Sequence, residues 1–165
     1  MAVKGKVWKY GDDVNTDVIF PGKYTYTIKE RADMAKVACE DLDIEFTKNA
    51  QPGDIIVGGK NWGCGSSREQ AVSCIKERGI AVIIAKSFAR IYYRNCFNEG
   101  LAIIICPEAV DSINAGEEVE VDFETGIITT ASGKKISFPP YPDFVKGLIE
   151  DGGLIPHVKK ELGLA

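Results

Sequence analysis

Two short apolar runs, at residues 80–85 and 101–106, restrict the fold of this 165-residue chain more than any other feature. Both runs are rich in isoleucine, and short β-branched runs of this kind are typical of strands buried on both faces of a sheet. The segment between them, residues 87–98, predicts a helix that ends at Gly100. This order of elements predicts a β-α-β unit with a parallel pair of strands.

The rest of the chain continues the alternation of strands and helices, and its character changes after Pro107. From there the pattern predicts three strands joined by glycine-containing turns, followed by one or two helices. The predicted strands outside the β-α-β unit are residues 6–9, 54–58, 119–123, 127–130 and 135–138. The other predicted helices are residues 28–40, 67–78, 143–150 and 155–161. No repeat or linker divides these elements, so we expect one α/β domain over residues 1–165.

The charge balance and the lack of long apolar runs narrow the class of protein. The formal net charge is −4, which argues against a nucleic-acid or anionic-membrane partner. No apolar run approaches the roughly 20 residues that a membrane-spanning helix needs, and no apolar leader opens the chain. We therefore expect a cytoplasmic protein.

A glycine-rich segment, residues 58–71, lies where an apolar strand is followed by a helix, and we call it the glycine loop. Glycines let the backbone approach a ligand closely, and the N–H groups at a helix start favour an anion. Arg68 adds a planar charged group suited to a carboxylate or phosphate. Alternatively, Ser66 and Glu69 match a capping box, in which Ser66 would only cap the helix. Spacing alone leaves both interpretations open.

Several common kinds of site do not match the sequence. The glycine loop lacks the residue order of a nucleotide-binding phosphate loop. The single histidine, His157, falls in the C-terminal helical segment, where we expect a surface or helix-end residue, so a serine hydrolase is disfavoured. The five cysteines include no C-x-x-C pair, which fits neither a disulfide framework nor a metal or iron–sulfur site held by this chain alone. We expect Cys74 and Cys106 in the core and do not identify Cys64 as a ligand.

Three ordered motifs resemble one known family. Residues 61–71 read Asn-Trp-Gly-Cys-Gly-Ser-Ser-Arg-Glu-Gln-Ala, and residues 12–24 contain Asn-Thr-Asp followed by Pro-Gly-Lys-Tyr. Residues 85–95 read Ala-Lys-Ser-Phe-Ala-Arg-Ile-Tyr-Tyr-Arg-Asn. Together they are similar to the motifs of the small subunits of 3-isopropylmalate dehydratases, the swivelling domain of the aconitase superfamily. The resemblance implies an α/β fold with a swivelling three-layer β/β/α architecture.

The resemblance also implies roles for individual residues. Ser66 would act in its alkoxide form as the base that removes a proton from the substrate, with backbone N–H donors of the glycine loop, including Gly65, to stabilise it. Arg68 would hold a substrate carboxylate, and Ser67 would add hydrogen bonds. Asp17 would lie in the same cleft and help to organise it. The reaction would be the removal of water from a hydroxy-dicarboxylate and its re-addition.

Members of this superfamily use a [4Fe–4S] cluster bound by three cysteines, and no matching set of cysteines occurs here. The resemblance therefore implies that this chain holds no metal or cofactor. A larger iron–sulfur subunit would carry the cluster, the active site would lie between the two chains, and this chain alone would be inactive.

The substrate is expected to be set by the loop Tyr24-Thr25-Tyr26-Thr27, which in the family contacts the variable substituent. An uncharged, partly aromatic loop suits a small alkyl group, because a buried carboxylate would require a paired cation. This favours 3-isopropylmalate, the leucine-pathway intermediate, with 2,3-dimethylmalate, homoaconitate or citraconate-like substrates as alternatives. A hypothesis of a different class is a non-catalytic anion-binding module. A third is a homo-oligomer of this chain without a partner.

One further pattern is a set of basic residues, Lys86, Arg90 and Arg94. Their spacing of four residues places them on one face of the predicted helix at residues 87–98. Such a face could dock on an acidic partner or help to close the anion site. It could equally be a solvated or salt-bridged helix surface.

Overall fold

The computed structural model describes residues 1–165 and contains one curled, seven-stranded sheet with the strand order β4-β3-β2-β1-β5-β6-β7. Strands β1 to β4 run parallel to one another, and β5, β6 and β7 form an antiparallel meander beside β1. The strands are β1 Ala2–Lys9, β2 Ile55–Gly58, β3 Val82–Ala85, β4 Ala102–Ile105, β5 Glu118–Asp122, β6 Ile127–Thr129 and β7 Lys135–Ser137.

Eight α-helices and one 3-10 turn, Gly22–Tyr24, connect or cover these strands. The helices are α1 Thr16–Ile19, α2 Arg31–Lys36, α3 Ile44–Asn49, α4 Gln70–Glu77, α5 Arg90–Glu99, α6 Pro107–Ser112, α7 Asp143–Glu150 and α8 Leu154–Glu161. None of them is long and apolar enough to span a bilayer.

The parallel strands form the middle of three layers. Alternate side chains point to opposite faces of a strand, so Ile56 and Ile83 pack with helices α4 and α5 in one buried cluster. Ile55 and Ile84 pack with the inner face of the meander in the other cluster. This arrangement of meander, parallel sheet and helices confirms the predicted three-layer β/β/α class, and it explains why β2 and β3 are apolar throughout.

The helix predicted at residues 28–40 is wrong in extent. Only Arg31–Lys36 is helical, and the chain then turns through Cys39, whose φ of 58° is incompatible with a right-handed helix. The helix predicted at residues 67–78 begins later, at Gln70, and the one predicted at residues 87–98 begins at Arg90. Helices α1, α3 and α6 were not predicted, because four to six residues are too few to show a period of 3.6.

The β-α-β unit is confirmed, and its helix ends as predicted. Gly100 adopts φ 74° at the end of α5, where its N–H bonds to the carbonyl groups of Cys96 and Phe97. Strands β3 and β4 then pair in parallel, with Val82 opposite Ala102. The carboxyl ends of the parallel strands therefore meet at one edge of the sheet, and the glycine loop leaves from the end of β2 at this edge.

Candidate active site

The glycine loop is held on both sides by backbone hydrogen bonds. The N–H of Thr16 donates to the carbonyl of Cys64 at 2.9 Å, and the N–H of Gly63 donates to the carbonyl of Val14 at 2.8 Å. On the other side the N–H of Trp62 donates to the carbonyl of Ser87 at 3.0 Å. These bonds join three segments of the chain, and they are the same three that carry the sequence motifs.

Gly63 is required by packing as well as by backbone conformation. Its φ is 80°, and a Cβ built on it would lie 2.1 Å from Cγ of the buried Tyr92. The hydroxyl of Tyr92 donates to the carbonyl of Ala71 at 3.0 Å, at the start of α4. Tyr92 therefore fixes both ends of the stretch that contains Ser66, Ser67 and Arg68.

Backbone donors are free in the middle of the glycine loop. The N–H groups of residues 65–69 donate to no acceptor within the chain, and α4 begins directly after them at Gln70. Such N–H groups at the start of a helix favour an anion. The structure thus contains the array of backbone donors that the sequence of the glycine loop predicted.

The capping-box interpretation of Ser66 is wrong. The residue that caps α4 is Glu69, and no side chain bonds to the first N–H groups of this helix. Ser66 is exposed, and its Oγ lies 3.2 Å from Oγ1 of Thr16. The helix starts too late for Ser66 to reach its first turn, so the hydroxyl of Ser66 is free of a capping role.

Arg68 and Asp17 form an ion pair. Nη2 of Arg68 lies 2.5 Å from Oδ1 of Asp17, in a pair where Arg68 is mostly buried and Asp17 mostly exposed. Nη1 of Arg68 is buried and has no acceptor. A Cβ built on Gly22 would lie 3.4 Å from this nitrogen, so the 3-10 turn packs directly against the guanidinium. Arg68 therefore keeps donor capacity beyond its bond to Asp17.

An open hollow of about 710 Å³ lies beside the glycine loop. Ser67 and Arg68 are among its lining residues. The others are Lys29, Arg31, Met34, Glu69, Gln70, Ser73, Ile91 and Asn95. Its walls are mainly polar and charged, which suits a small polar or anionic ligand.

Two cations of this hollow, Lys29 and Arg31, were missed as site residues. Nη1 and Nη2 of Arg31 pair with Glu77 at 3.2 Å and Glu99 at 2.7 Å, so its charge is compensated within the chain. Lys29 is exposed and forms no ion pair. Lys29 follows the predicted substrate loop by two residues, and this nearness in sequence is a signal that could have identified Lys29 as a site residue.

The Tyr24–Thr27 loop lies outside the lining of the hollow. The hydroxyl of Tyr24 donates to Oε1 of Glu40 at 2.9 Å, and Oγ1 of Thr25 is buried without a partner. Tyr26 is 88% exposed, and Thr27 is also exposed. The structure therefore places Tyr26 and Thr27 where a substrate or a partner could reach them, and their contact with substrate stays a prediction.

The cysteines do not form a ligand set. Cys39, Cys74, Cys96 and Cys106 are buried, which confirms the core placement of Cys74 and Cys106, and Cys64 is partly exposed. Burial raises the pKa of the Cys74 thiol, and likewise those of Cys39 and Cys96. No group of three or more histidine, cysteine or acidic side chains is arranged to hold a metal ion.

His157 and the basic residues differ in part from expectation. His157 is only 14% exposed, and its Nδ1 lies 2.7 Å from Oδ2 of Asp151. Lys86 precedes α5 and pairs with Asp111 at 2.8 Å, so it does not share a helix face with Arg90 and Arg94. Because α5 begins at Arg90, the prediction that all three basic residues share one helix face is wrong.

Comparison with known proteins places these features in a family. The model of the Aconitase C-terminal domain matches residues 13–109, which include all three motifs. Among solved structures, the 3-isopropylmalate dehydratase of Methanocaldococcus jannaschii is 42% identical, with a TM-score of 0.93 over 99% of this chain and 97% of that one. Aconitase X of Thermococcus kodakaraensis, at 15% identity and a TM-score of 0.51, shares the fold.

Curated relatives match over nearly the whole chain. The 3-isopropylmalate dehydratase small subunit of Caldicellulosiruptor bescii is 52% identical over 98% of this chain and 98% of its own length. The small subunit of the same name from Thermodesulfovibrio yellowstonii is 48% identical over 99% of this chain and 98% of its own length. The chain belongs to the family of 3-isopropylmalate dehydratase small subunits, which share the aconitase C-terminal domain.

Proposed function

We propose that this chain is the small subunit of a heteromeric [4Fe–4S] hydro-lyase that isomerises 3-isopropylmalate by dehydration and rehydration, in leucine biosynthesis. One observation carries the proposal. Ser66 and Arg68 lie together on an array of free backbone N–H groups beside an open hollow. Relatives that are about half identical over their full length bear the name of this enzyme subunit.

Ser66 is the proposed base. Its alkoxide takes the proton from the carbon next to a substrate carboxylate, so the C–H bond breaks and a new O–H bond forms on Oγ. A serine alkoxide is strongly basic and needs fixed donors around it. The free N–H groups of residues 65–69 and the start of α4 supply such donors.

Arg68 is the proposed carboxylate ligand, and Asp17 is proposed to orient it. The bond between Nη2 and Oδ1 leaves the other guanidinium N–H groups available for a substrate carboxylate. Ser67 lines the hollow beside Arg68 and can add a hydrogen bond. Lys29 supplies a second positive charge in the same hollow. These residues suit a dicarboxylate better than a neutral molecule.

The residues of this chain do not fit an iron–sulfur cluster. Four of the five cysteines are buried, and three of these have a raised pKa, which disfavours the thiolate that would bind iron. We therefore propose that the large subunit holds the cluster, which when bound supplies a Lewis acid for the departing hydroxide.

The open geometry supports a partner that completes the site. Ser66 and Ser67 are exposed, and the hollow is open to solvent. An alkoxide base requires exclusion of water, and this chain does not exclude it. Tyr26, Ile91 and Tyr93 are also exposed, and large apolar side chains of this kind are suited to burial in an interface. We propose that the large subunit covers this face.

The test uses the complex of this chain with the large subunit of the same source, purified without oxygen. We expect turnover of 3-isopropylmalate to require both chains. Ser66→Ala should abolish turnover while complex formation and the spectrum of the cluster stay unchanged. The matched control is Ser132→Ala, in the exposed turn between β6 and β7.

Three outcomes would change the proposal. Unchanged turnover in Ser66→Ala would remove Ser66 as the base. Turnover of 2,3-dimethylmalate or homoaconitate in place of 3-isopropylmalate would reassign the substrate. Binding of a dicarboxylate without formation of any complex would favour an anion-binding module, and gel filtration of the isolated chain would reveal a homo-oligomer.

A further inference from the structure

Thr16 is a buried polar residue that directly contacts the proposed base. It is 1% exposed and is the first residue of the short helix α1. Its Oγ1 lies 3.2 Å from Oγ of Ser66 and 3.0 Å from the carbonyl oxygen of the same residue. Buried hydroxyl groups are normally hydrogen-bonded, and both bonds of this one go to Ser66.

The backbone fixes Thr16 in this position. Its N–H donates to the carbonyl of Cys64 at 2.9 Å, so Thr16 and the glycine loop are joined at main-chain level. The side chain of Asn15 caps α1 by accepting from the N–H groups of Asp17 and Val18. Gly65 lies directly against Thr16, since a Cβ built on it would be 3.4 Å from Oγ1 of Thr16, a normal contact distance.

The hydroxyl of Thr16 has one proton and two acceptors within reach. When Ser66 is protonated, Thr16 can donate to the carbonyl of Ser66 while the hydroxyl of Ser66 donates to Oγ1 of Thr16. When Ser66 is an alkoxide, it can no longer donate. Rotation about a single C–O bond then directs the Thr16 proton to Oγ of Ser66. A hydrogen bond to the charged form favours that form.

We propose that Thr16 is a positioning residue for Ser66, whose hydroxyl rotates between the carbonyl and the Oγ of Ser66 as the base gains and loses its proton. This inference rests on the proposed function, in which Ser66 is the base. No proton leaves Thr16 in the cycle. The proton taken from the substrate carbon ends on Ser66, and Thr16 changes only the direction of its own O–H bond.

The first test compares Thr16→Val with Thr16→Ser in the complex with the large subunit. Valine keeps the shape and removes the hydroxyl, whereas serine keeps the hydroxyl and removes a methyl group. We expect Thr16→Val to lower kcat about tenfold to a hundredfold with little change in KM, because a donor to a developing charge acts on the chemical step. Thr16→Ser should retain most of the activity.

The pH dependence of kcat gives a second readout in the same variants. Loss of a hydrogen-bond donor raises the pKa of the base. The limb along which kcat rises with pH, which is set by deprotonation of Ser66, should therefore move to higher pH in Thr16→Val and not in Thr16→Ser. The nearest charged residues of the same segments are Asp17 and Arg68, which pair with each other, and Glu69, which follows Arg68 in the glycine loop. Glu69 lines the hollow together with Lys29, Arg31 and Arg68. None of these residues is altered in either variant.

An independent test needs no turnover. Ser66→Cys, made in a Cys64→Ser background of the isolated chain, places a thiol at the position of the base. The remaining four cysteines are buried, so alkylation at increasing pH should report the pKa of the new thiol alone. Adding Thr16→Val should raise this pKa by about half a unit to one unit, and adding Thr16→Ser should not.

Either assay can overturn the inference. Equal loss of kcat in Thr16→Val and Thr16→Ser would show that Thr16 acts only through packing, and an unmoved thiol pKa in Thr16→Val would exclude the hydrogen bond. If Thr16→Val does not fold, Thr16→Ala takes its place in the thiol assay. If the wild-type complex turns over no substrate, the proposed function fails, and the thiol titration still decides whether Thr16 is coupled to position 66.

Discussion

The glycine loop and the Tyr24–Thr27 loop, to which we assign the chemical step and substrate choice, are held in the fold in opposite ways. The glycine loop is tied to Val14, Thr16 and Ser87 by backbone bonds, and buried Tyr92 packs against Gly63. The Tyr24–Thr27 loop is fixed mainly at its start, where Tyr24 bonds to Glu40, and Tyr26 projects into solvent. The residues that we propose for the chemical step are therefore held in place by this chain, whereas Tyr26, proposed for substrate choice, is left exposed by it.

The strongest test of this contrast is Gly63→Ala. The new Cβ would meet Cγ of Tyr92 at 2.1 Å, at a residue with φ 80°. Strain at positive φ and overpacking together should lower the free energy of unfolding by about 3 kcal/mol or more. Urea unfolding would measure it. Gly133→Ala is the matched control, since Gly133 has φ 87° and nothing within 4 Å of its added Cβ. Equal effects in the two variants would mean that packing on Tyr92 does not fix the glycine loop.

The second prediction concerns Arg68. Arg68→Lys keeps the charge but removes the planar group that pairs with Asp17 and that we propose bonds to a substrate carboxylate. We expect kcat/KM of the complex to fall about a hundredfold, while the free energy of unfolding changes little. The control is Arg94→Lys, at an exposed position of α5. A decrease of less than about threefold in Arg68→Lys would contradict its role as carboxylate ligand.

A smaller effect is expected in the Tyr24–Thr27 loop, where Tyr26 is exposed. Tyr26→Ala removes a side chain that is 88% exposed, so the free energy of unfolding should change by less than about 0.5 kcal/mol. The ratio of kcat/KM for 3-isopropylmalate to that for 2,3-dimethylmalate should change about tenfold, the lower end of the effect of one methylene in an apolar pocket. Tyr26→Phe should leave the ratio unchanged. No change in the ratio for Tyr26→Ala would separate this loop from substrate choice.

The smallest prediction is a pH effect at the start of the same loop. The ammonium of Lys23, 2.9 Å from Glu40, and then the hydroxyl of Tyr24 hold the pKa of Glu40 below its usual value. Because the folded pKa is lowered, the contribution of Glu40 is present above the unfolded value, about 4.3, and is lost as the pH falls through the folded value. Glu40→Gln should therefore lower the urea midpoint slightly at pH 7 and not at pH 3. A difference that persists at pH 3 would exclude the ionised carboxylate as its cause.

The parts of the fold that sequence predicted are those that follow from repeated local patterns. The apolar β-branched runs at β3 and β4 and the stop at Gly100 depend on neighbouring residues, so the β-α-β unit was predicted correctly. The turn at Cys39 shortened a predicted helix because tertiary contacts hold that residue at φ 58°. No local pattern reports such a constraint.

The candidate site shows the same division. Ser66, Ser67 and Arg68 lie in one motif, and their clustering could be expected from sequence. The bond between Thr16 and Ser66 joins residues fifty positions apart. Arg31 lines the hollow because α2 packs beside α4, and Lys29 lies two residues before this helix. Residues 66–69 match the sequence pattern of a capping box, but Ser66 does not cap a helix, because α4 starts at Gln70.

The position of β1 between β2 and β5 has a consequence for the order in which the chain can fold. Residues 2–6 pair with β5, with Val3 opposite Val121, whereas residues 7–9 pair with β2. During synthesis β1 is made long before β5, so residues 2–6 stay unpaired, and the inner face of the parallel strands is covered only by α6 until β5, β6 and β7 have emerged. Contacts so distant in sequence slow folding and prolong the exposure of apolar surface. A nascent chain that stops after β4 would therefore be a target for chaperones or aggregation, and the chain becomes self-sufficient only when its meander is complete.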